Sequence, residues 1–394
     1  MEQKLSRLYF IDAMRAWAIL MMLQGHFVDG LLDPVFRDDS NMVYATWKYF
    51  RGITAPVFFT VSGFIFTLLL IKVPEKGWQN PRVIKGIKRG LQLLFIGYLL
   101  RLNLFGLLKG EVYGSFYLVD VLHCIGLSLL GIIGVYLLTT KKKPIIFPTI
   151  LVSITILLFL LEPMYKQWSF SFLPDILANY LTKANGSVFT LIPWMGYTAF
   201  GAFLSVIFSR YRNMKHLYPA SIAVSLITGA ALIYYSTGLF NLLFKTTGIT
   251  LFQGLVNNNY LFIRLGNVMV VFAVFMALRQ FLTNKTMLRL GQNTLSIYVI
   301  HFVVLYGSFT GLGIYGFLHH GVAPSIVVPG AAIFMIVCSY LALKYDAQEE
   351  VIKGRISTAL NGLREQAEPL LLFGYRQLRS TMNWIMRVIG FVKS

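Results

Sequence analysis

The clearest indication of the fold is the stretch Asp12-Ala-Met-Arg15-Ala-Trp-Ala-Ile-Leu-Met-Met-Leu-Gln-Gly-His26-Phe-Val-Asp29. It is long and apolar enough to form a helix that crosses a bilayer, yet it contains four ionisable residues. Ionisable side chains at membrane depth are energetically costly and usually belong to a functional path. We therefore interpret this stretch both as the first transmembrane helix and as the first candidate site.

The ionisable residues share one face of the predicted helix. Residues on this face follow one another at intervals of three or four: Asp12, Arg15, Ile19, Met22, His26 and Asp29. Arg15 and His26 are separated by a rise of roughly 16 Å, at ~1.5 Å per residue. The face therefore presents a permanent cation near one membrane surface and an imidazole near the other. A solvent-lined path through the protein is the simplest environment for both side chains.

The composition indicates an all-α polytopic membrane protein. The chain has 394 residues, of which 56% are hydrophobic and 13% charged, whereas soluble proteins contain roughly 25% charged residues. The net charge of +19 would suggest a nucleic-acid partner in a soluble protein. Here the basic residues lie in short connections between apolar segments, so we expect membrane lipids and no nucleic acid as partners. Cys124 and Cys338 lie in apolar runs and are expected to be core residues, not metal ligands.

Windows of about 20 apolar residues predict about ten transmembrane helices around a central cavity. Their expected bounds are 9–30, 53–73, 87–107, 117–138, 145–162, 187–208, 217–237, 261–281, 289–312 and 323–344. Lys and Arg concentrate in the even-numbered connections, as in Lys141-Lys142-Lys143. This asymmetry predicts that both termini are cytoplasmic. We expect the protein to lie in the cytoplasmic (inner) membrane. Arg15 would then face the cytoplasm and His26 the outside.

The chain is expected to divide into a transmembrane domain, residues 1–344, and a basic cytoplasmic tail, residues 345–394. The tail mixes Lys and Arg with Leu, Ile, Phe and Trp384. This pattern is typical of amphipathic helices that lie on the inner leaflet, although a solvated tail is an alternative. Glycines suited to close helix packing also allow a homodimer.

His26 is the strongest candidate for chemistry. The unperturbed pKa of histidine, about 6.5, suits a general base, and Asp29 lies one turn further on, where it can orient or polarise the ring. A histidine that is hydrogen-bonded only for packing is the alternative. Arg15 presents five donors that can hold a phosphate or a carbonyl group. It can also form an internal ion pair with Asp12, and the two roles are compatible.

Other polar residues in or near the spans have both functional and structural interpretations. Ser62 can bind a ligand or a neighbouring helix, and Arg51 and Arg264 can face a ligand or anchor the chain at the interface. Asp120 with His123, and Tyr298 with His301, are pairs at a spacing of three that can line the cavity or stabilise the packing. The basic residues Lys85, Lys88 and Arg89 can bind phosphate groups or only fix the topology.

These residues resemble motifs of the membrane acyltransferases of family 3 and of the related catalytic domain of heparan-α-glucosaminide N-acetyltransferase. Arg15 and His26 match the Arg-x10-His motif of family 3, although Ala16 replaces its usual glycine. The segments that resemble further landmarks are Ile11-Asp12-Ala-Met-Arg15, Phe58-Phe59-Thr-Val-Ser62-Gly63-Phe64, Lys88-Arg89-Gly90, Ile192-Pro193-Trp194-Met-Gly196-Tyr197, and Leu290-Gly291 with Ser296-Ile-Tyr298 and His301.

The resemblance implies an enzyme of roughly ten helices that moves an acetyl group from cytoplasmic acetyl-CoA to a hydroxyl or amine of an extracytoplasmic glycan or lipid-linked acceptor. It implies that His26 is the general base or acyl acceptor. We expect no metal. Catalysis is expected from His26, Arg15 and Asp29. Acyl-CoA is expected to bind to Arg15, Ser62, Lys85, Lys88 and Arg89, and the acceptor to Arg51, Asp120, His123, Trp194, Tyr298 and His301.

A transporter or flippase for an anionic glycan or lipid is the principal alternative, because intramembrane charges and a through-going cavity suit transport equally well. Corresponding Gly- or Pro-interrupted spans in the two halves would favour transport, but the sequence shows no such symmetry. A membrane scaffold that recruits partners through its tail is a third possibility.

Overall fold

A computed structural model describes residues 8–388. Within this range the α-helices are, in chain order, α1 (Tyr9–Leu31), α2 (Met42–Ile71), α3 (Pro81–Arg101), α4 (Leu104–Leu108), α5 (Val121–Thr139), α6 (Ile146–Leu160), α7 (Glu162–Tyr165), α8 (Asp175–Ala178), α9 (Leu191–Arg210), α10 (Leu217–Ala230), α11 (Ser236–Thr247), α12 (Thr250–Asn257), α13 (Tyr260–Ala277), α14 (Lys285–Gln292), α15 (Thr294–Tyr306), α16 (Ile314–Leu318) and α17 (Pro324–Val388). The described chain has no β-strand, only two isolated bridges.

The helices confirm an all-α polytopic membrane protein, but they do not confirm a count of ten spans. Helical stretches of the length and apolarity needed to cross a membrane are Met42–Ile71, Gly114–Thr139, Leu191–Arg210, Leu217–Thr247, Tyr260–Gln280 and Pro324–Arg355. A seventh results if α14 and α15, which are bent by 73° at their junction, are one broken span. The helix α6 has only 15 residues, and α1 and α3 contain several ionisable side chains that lower their hydropathy.

The core that supports α1 is formed with α2 and α13. Fully buried side chains such as Met14 and Val57 pack against Val268 and Phe272 in one continuous apolar cluster. Because α1 is buried along this side, its ionisable face must turn toward α14 and α15.

The break between α14 and α15 lies directly against the N-terminal half of α1. The backbones touch at Gly291, where a Cβ atom would collide with the carbonyl oxygen of Asp12. Nearby, Nη2 of Arg15 donates a hydrogen bond of 3.1 Å to Oγ1 of Thr294, the first residue of α15. Nη1 of Arg15 lies 3.9 Å from Oδ1 of Asp12. These contacts fix α15 relative to α1 and so determine which of its side chains face His26.

The opposite end of α1 is held by side chains that bind its terminal carbonyl groups. Nη2 of Arg37 donates to the carbonyl oxygens of Asp29, at 2.8 Å, and Leu32, at 2.7 Å. Nε2 of His320 lies 3.2 Å from the same Asp29 carbonyl. Cationic and donor groups satisfy the unpaired carbonyls at a helix C-terminus. The turn of α1 that contains His26 and Asp29 is therefore anchored.

Close contact between α2 and α9 brings the walls of the site together. A Cβ atom at Gly63 would collide with the carbonyl oxygen of Thr198, and one at Gly201 would collide with that of Thr60. The two glycines thus form a reciprocal crossing in which the helix backbones touch, as small residues allow in membrane helices.

The chain divides into two compact units, Met1–Ala342 and Leu343–Ser394. The first contains every residue of the site described below. The second is helical as far as Val388 and contains an ion pair between Lys353 and Glu349. Residues 1–7 and 389–394 lie outside the described residues, as does the side chain of Trp384, so the membrane-bound tail and the cytoplasmic termini stay predictions.

Candidate active site

Two cavities meet at His26. The larger one, which we call the polar chamber, has a volume of about 730 Å³, and its polar lining includes His26, Asp29, Arg51, Arg101, Asp120 and Tyr306. The smaller one, which we call the apolar chamber after its methionine and aromatic side chains, has a volume of about 230 Å³. Its lining includes Met21, Met22, Phe58, Phe59 and Trp194, together with the cationic side chains of Arg51 and Lys183. His26, Arg51, Val121, Val188 and Phe189 line both. The imidazole therefore lies at the junction of two spaces that differ in size and in their side chains, because carboxylates and tyrosines line only the larger one.

His26 is paired with a second histidine. Its Nδ1 lies 3.1 Å from Nε2 of His301, which is fully buried in α15. His301 lines neither chamber. Nε2 of His26 makes no hydrogen bond to any described residue, so it is the ring nitrogen left for a molecule in the chambers.

Asp29 and Arg51 form an ion pair at the wall of the polar chamber. Asp29 was predicted to orient His26. In the structure its carboxylate instead contacts the guanidinium of Arg51. Arg51 lies on α2, and a side chain at Gly25 of α1 would contact its Cγ at 3.4 Å. The pair presents charge and hydrogen-bonding groups to the polar chamber while remaining internally neutralised.

A second ion pair lies across the same chamber. Nε of Arg101 donates to Oδ2 of Asp120 at 3.1 Å, and Nη1 donates to the carbonyl oxygen of Ser115 at 3.2 Å. Nδ1 of His123 lies 3.2 Å from the other carboxylate oxygen of Asp120. Asp120 and Arg101 line the chamber, whereas His123 is buried behind them against Gly97. Arg101 was not among the predicted site residues, although a lone arginine at the end of an apolar span is a signal that sequence reasoning can use.

Aromatic residues of α15 and the following segment complete the polar chamber. Tyr298, Phe302, Tyr306 and Tyr315 all line it. The rings of Tyr306 and His26 lie 6.1 Å apart, centroid to centroid. Such faces and hydroxyl groups suit a ligand that has both apolar C–H surfaces and hydroxyl groups.

The apolar chamber contains one unsatisfied donor. Nε1 of Trp194 is buried and has no hydrogen-bond partner among the described residues. Its ring packs on Phe189 and Phe59, with centroid distances of 4.8 and 5.3 Å. Lys183, which sequence reasoning did not single out, lines the same chamber with Nζ 5.9 Å from the Trp194 ring.

Several predicted site residues line neither chamber. Arg15 contacts Thr294, Oγ of Ser62 donates to the carbonyl oxygen of Phe58 at 2.7 Å, and Arg89 donates to Gln92 at 3.0 Å. The remaining members of this group are the exposed Lys85 and Lys88 and the buried His123 and His301. On α1 the chambers end at Met21 and Met22, between His26 and Arg15. Across the residues that the structure describes, no group of three or more His, Cys, Asp or Glu side chains could hold a metal ion.

Comparison with known families identifies the type of protein. The model of an acyltransferase domain family matches residues 8–344. The chain belongs to this acyltransferase family. The match confirms the resemblance inferred from Arg15, His26 and the later motifs. Together with the apolar helices it supports a membrane enzyme that transfers acyl groups. A search of curated proteins found none that matches this chain.

Proposed function

We propose that the protein transfers an acetyl group from cytoplasmic acetyl-CoA to a hydroxyl or amine of an extracytoplasmic glycan or related acceptor. The observation that carries the proposal is the meeting at His26 of two chambers that are lined by different sets of side chains. Acyl transfer needs a donor and an acceptor in contact with one base, and this arrangement provides a separate space for each.

The apolar chamber is assigned to the acyl donor. Its aromatic and methionine lining suits a thioester and a slender pantetheine arm, and its volume of about 230 Å³ favours a short acyl chain. The unsatisfied N–H of Trp194 is a donor for an amide or thioester carbonyl. Arg15, Lys85, Lys88 and Arg89 remain the proposed partners for the anionic part of CoA at the cytoplasmic side.

The polar chamber is assigned to the acceptor. The ion pairs Arg51–Asp29 and Arg101–Asp120 line it together with tyrosines. Because each arginine is neutralised by a carboxylate, the lining offers many hydrogen-bonding groups without a large net charge. This environment favours a neutral, hydroxyl-rich acceptor such as a glycan, and a volume of about 730 Å³ is in the range of pockets for small ligands.

In the proposed reaction Nε2 of His26 removes the proton from the acceptor hydroxyl or amine. The acceptor atom attacks the thioester carbonyl, the C–S bond breaks, and the CoA thiolate takes the proton back from His26. Direct transfer is preferred over an acyl-histidine intermediate, because both substrates reach the same nitrogen and no second transfer step is needed. Of the neutral side chains that can donate to the oxyanion, Tyr298 lines the polar chamber, whereas the hydroxyl of Ser62 donates to the backbone of its own helix.

The test uses purified protein in detergent or liposomes with labelled acetyl-CoA and a panel of glycans. We expect CoA release and acceptor labelling with the wild type and with the control variant His216→Gln, because His216 is exposed in a connection away from the chambers. His26→Gln should lose at least about 10²-fold in rate, the range of general base catalysis. Full activity of His26→Gln would remove this residue from the mechanism.

The same preparation distinguishes transferase from transporter. A transporter or flippase would move an anionic glycan or lipid across liposomes without acetyl-CoA. The proposed function predicts no acceptor flux above that of empty liposomes, and flux that is independent of acetyl-CoA would favour the transport alternative.

A further inference from the structure

His26 and His301 are adjacent, but only His26 is placed to touch substrate. His26 lines both chambers, whereas His301 has no exposed surface and lines neither. Tyr298, Phe302 and Tyr306 surround the His301 ring, with centroid distances of 4.8, 5.7 and 6.4 Å. An acceptor-binding role for His301 therefore has no geometric support, and its single described side-chain hydrogen bond is with His26.

The hydrogen bond between the rings links their tautomers. If Nδ1 of His26 carries the proton, it donates to Nε2 of His301, and Nε2 of His26 presents a lone pair to the chambers. If Nε2 of His301 carries the proton, the direction reverses, and Nε2 of His26 presents an N–H. A base needs the first arrangement. The partner of the non-reacting nitrogen decides which tautomer is present, as in a Ser-His-Asp triad.

We propose that His301 is a positioning residue that accepts a hydrogen bond from Nδ1 of His26 and so holds Nε2 of His26 in its basic form. This inference rests on the proposed role of His26 as the base. When His26 takes the acceptor's proton at Nε2, its Nδ1–H becomes a charge-assisted donor to Nε2 of His301, which stabilises the imidazolium. The proton returns from Nε2 of His26 to the CoA thiolate. His301 stays neutral throughout, as burial among aromatic rings favours.

The fold supports this pairing from both sides. The Arg15–Thr294 hydrogen bond attaches the start of α15 to α1, and His301 lies two turns further along α15. Arg37 anchors the end of α1 that contains His26. The distance between the two imidazoles is thus set by contacts outside the chambers, which is what a positioning role requires.

The test compares two substitutions of different chemistry. In His301→Gln the amide oxygen reaches the place of the imidazole Nε2 and can still accept from His26, whereas His301→Phe fills the space without an acceptor. We expect His301→Phe to lower kcat by about 10²-fold or more. His301→Gln should stay within about tenfold of the wild type. Since His301 lines neither chamber, the KM values for donor and acceptor should change by less than roughly threefold in both variants.

A double variant separates positioning from a general structural defect. Because His301 acts through His26, the residual rate of His26→Gln/His301→Phe should equal that of His26→Gln alone. A structural role would instead add its own loss in the double variant, and the Gln substitution would fail to rescue. Either result overturns the inference. Thermal unfolding of His301→Phe within a few degrees of the wild type is the control for folding.

The same experiment keeps the two proposals distinguishable. If His301→Phe keeps full activity while His26→Gln is inactive, the positioning role is wrong and the proposed function stands. If His26→Gln is as active as the wild type, the proposed role of His26 itself fails. In that case the inference about His301 falls with it.

Discussion

Replacing Trp194 by phenylalanine tests how the apolar chamber binds the acyl donor. The substitution keeps an aromatic ring against Phe189 and Phe59 but removes the indole N–H, which is buried and unpaired among the described residues. A buried donor without a partner destabilises a protein by ~1–3 kcal/mol. The loss of ring volume on substitution acts in the opposite direction. We therefore expect that the substitution lowers the free energy of unfolding of the ligand-free protein by at most about 1 kcal/mol.

Activity should respond differently, because a bound donor would satisfy the N–H. If Nε1 donates to an amide of the pantetheine arm, its removal should cost ~0.5–1.5 kcal/mol, which corresponds to roughly a 2- to 13-fold increase in the KM for acetyl-CoA. If it donates to the developing oxyanion instead, kcat should fall by about 10²–10³-fold with little change in KM. The split between the two kinetic constants therefore identifies the atom that Trp194 binds.

The assay is steady-state CoA release at varied acetyl-CoA and saturating acceptor, together with thermal unfolding of the ligand-free protein. Trp78→Phe is the matched control, because Trp78 is exposed in the connection between α2 and α3. Unchanged kcat and unchanged KM for acetyl-CoA in Trp194→Phe, with the same result for the control, would refute the assignment of the apolar chamber to the donor.

Three further substitutions test the packing and the acceptor site. Gly63→Ala should destabilise the protein by ~1–3 kcal/mol, because the new methyl group collides with the Thr198 carbonyl; Gly134→Ala, where a Cβ atom meets nothing within 4 Å, should leave the melting temperature equal or higher. Arg37→Gln should cost about 0.5–2 kcal/mol by uncapping the C-terminus of α1, and an unchanged melting temperature would contradict this role. Arg51→Gln should raise the KM for the acceptor by about tenfold through loss of a charged hydrogen-bonding group, whereas an unchanged KM for the acceptor would contradict the proposed role of Arg51 in acceptor binding.

The approximate positions of the helices follow from the sequence, because an apolar segment of membrane length can satisfy its backbone hydrogen bonds in a bilayer only as a helix. The bounds do not follow as well. Helix α2 begins at Met42, eleven residues before the predicted span. The prediction began too late because Lys48 and Arg51 lower the hydropathy of the first turns of the helix. The segment predicted as one span over 289–312 is broken between Gln292 and Thr294, where α1 packs against the break. That contact is tertiary and leaves no periodic signal in the local sequence.

The candidate site was also predicted only in part. Periodicity placed His26 and Asp29 on one face of α1, and both line the polar chamber. It also placed Arg15 on that face, but Arg15 is bonded to Thr294, 279 positions away in the chain. The pairing of His26 with His301 spans 275 positions. A single sequence contains no pattern that specifies such long-range partners, so these roles become visible only in three dimensions.

The position of the CoA sulfur in a complex with this protein distinguishes most sharply between the proposed chemistry and its alternatives. Cryo-electron microscopy of the protein with bound CoA should show the sulfur in the apolar chamber, within about 4 Å of Nε2 of His26, as a near-attack arrangement requires. The pantetheine arm should extend past Trp194 toward the end of α1 that contains Arg15. CoA bound with its sulfur away from His26, or with another part of the molecule at the junction of the chambers, would contradict transfer at this histidine.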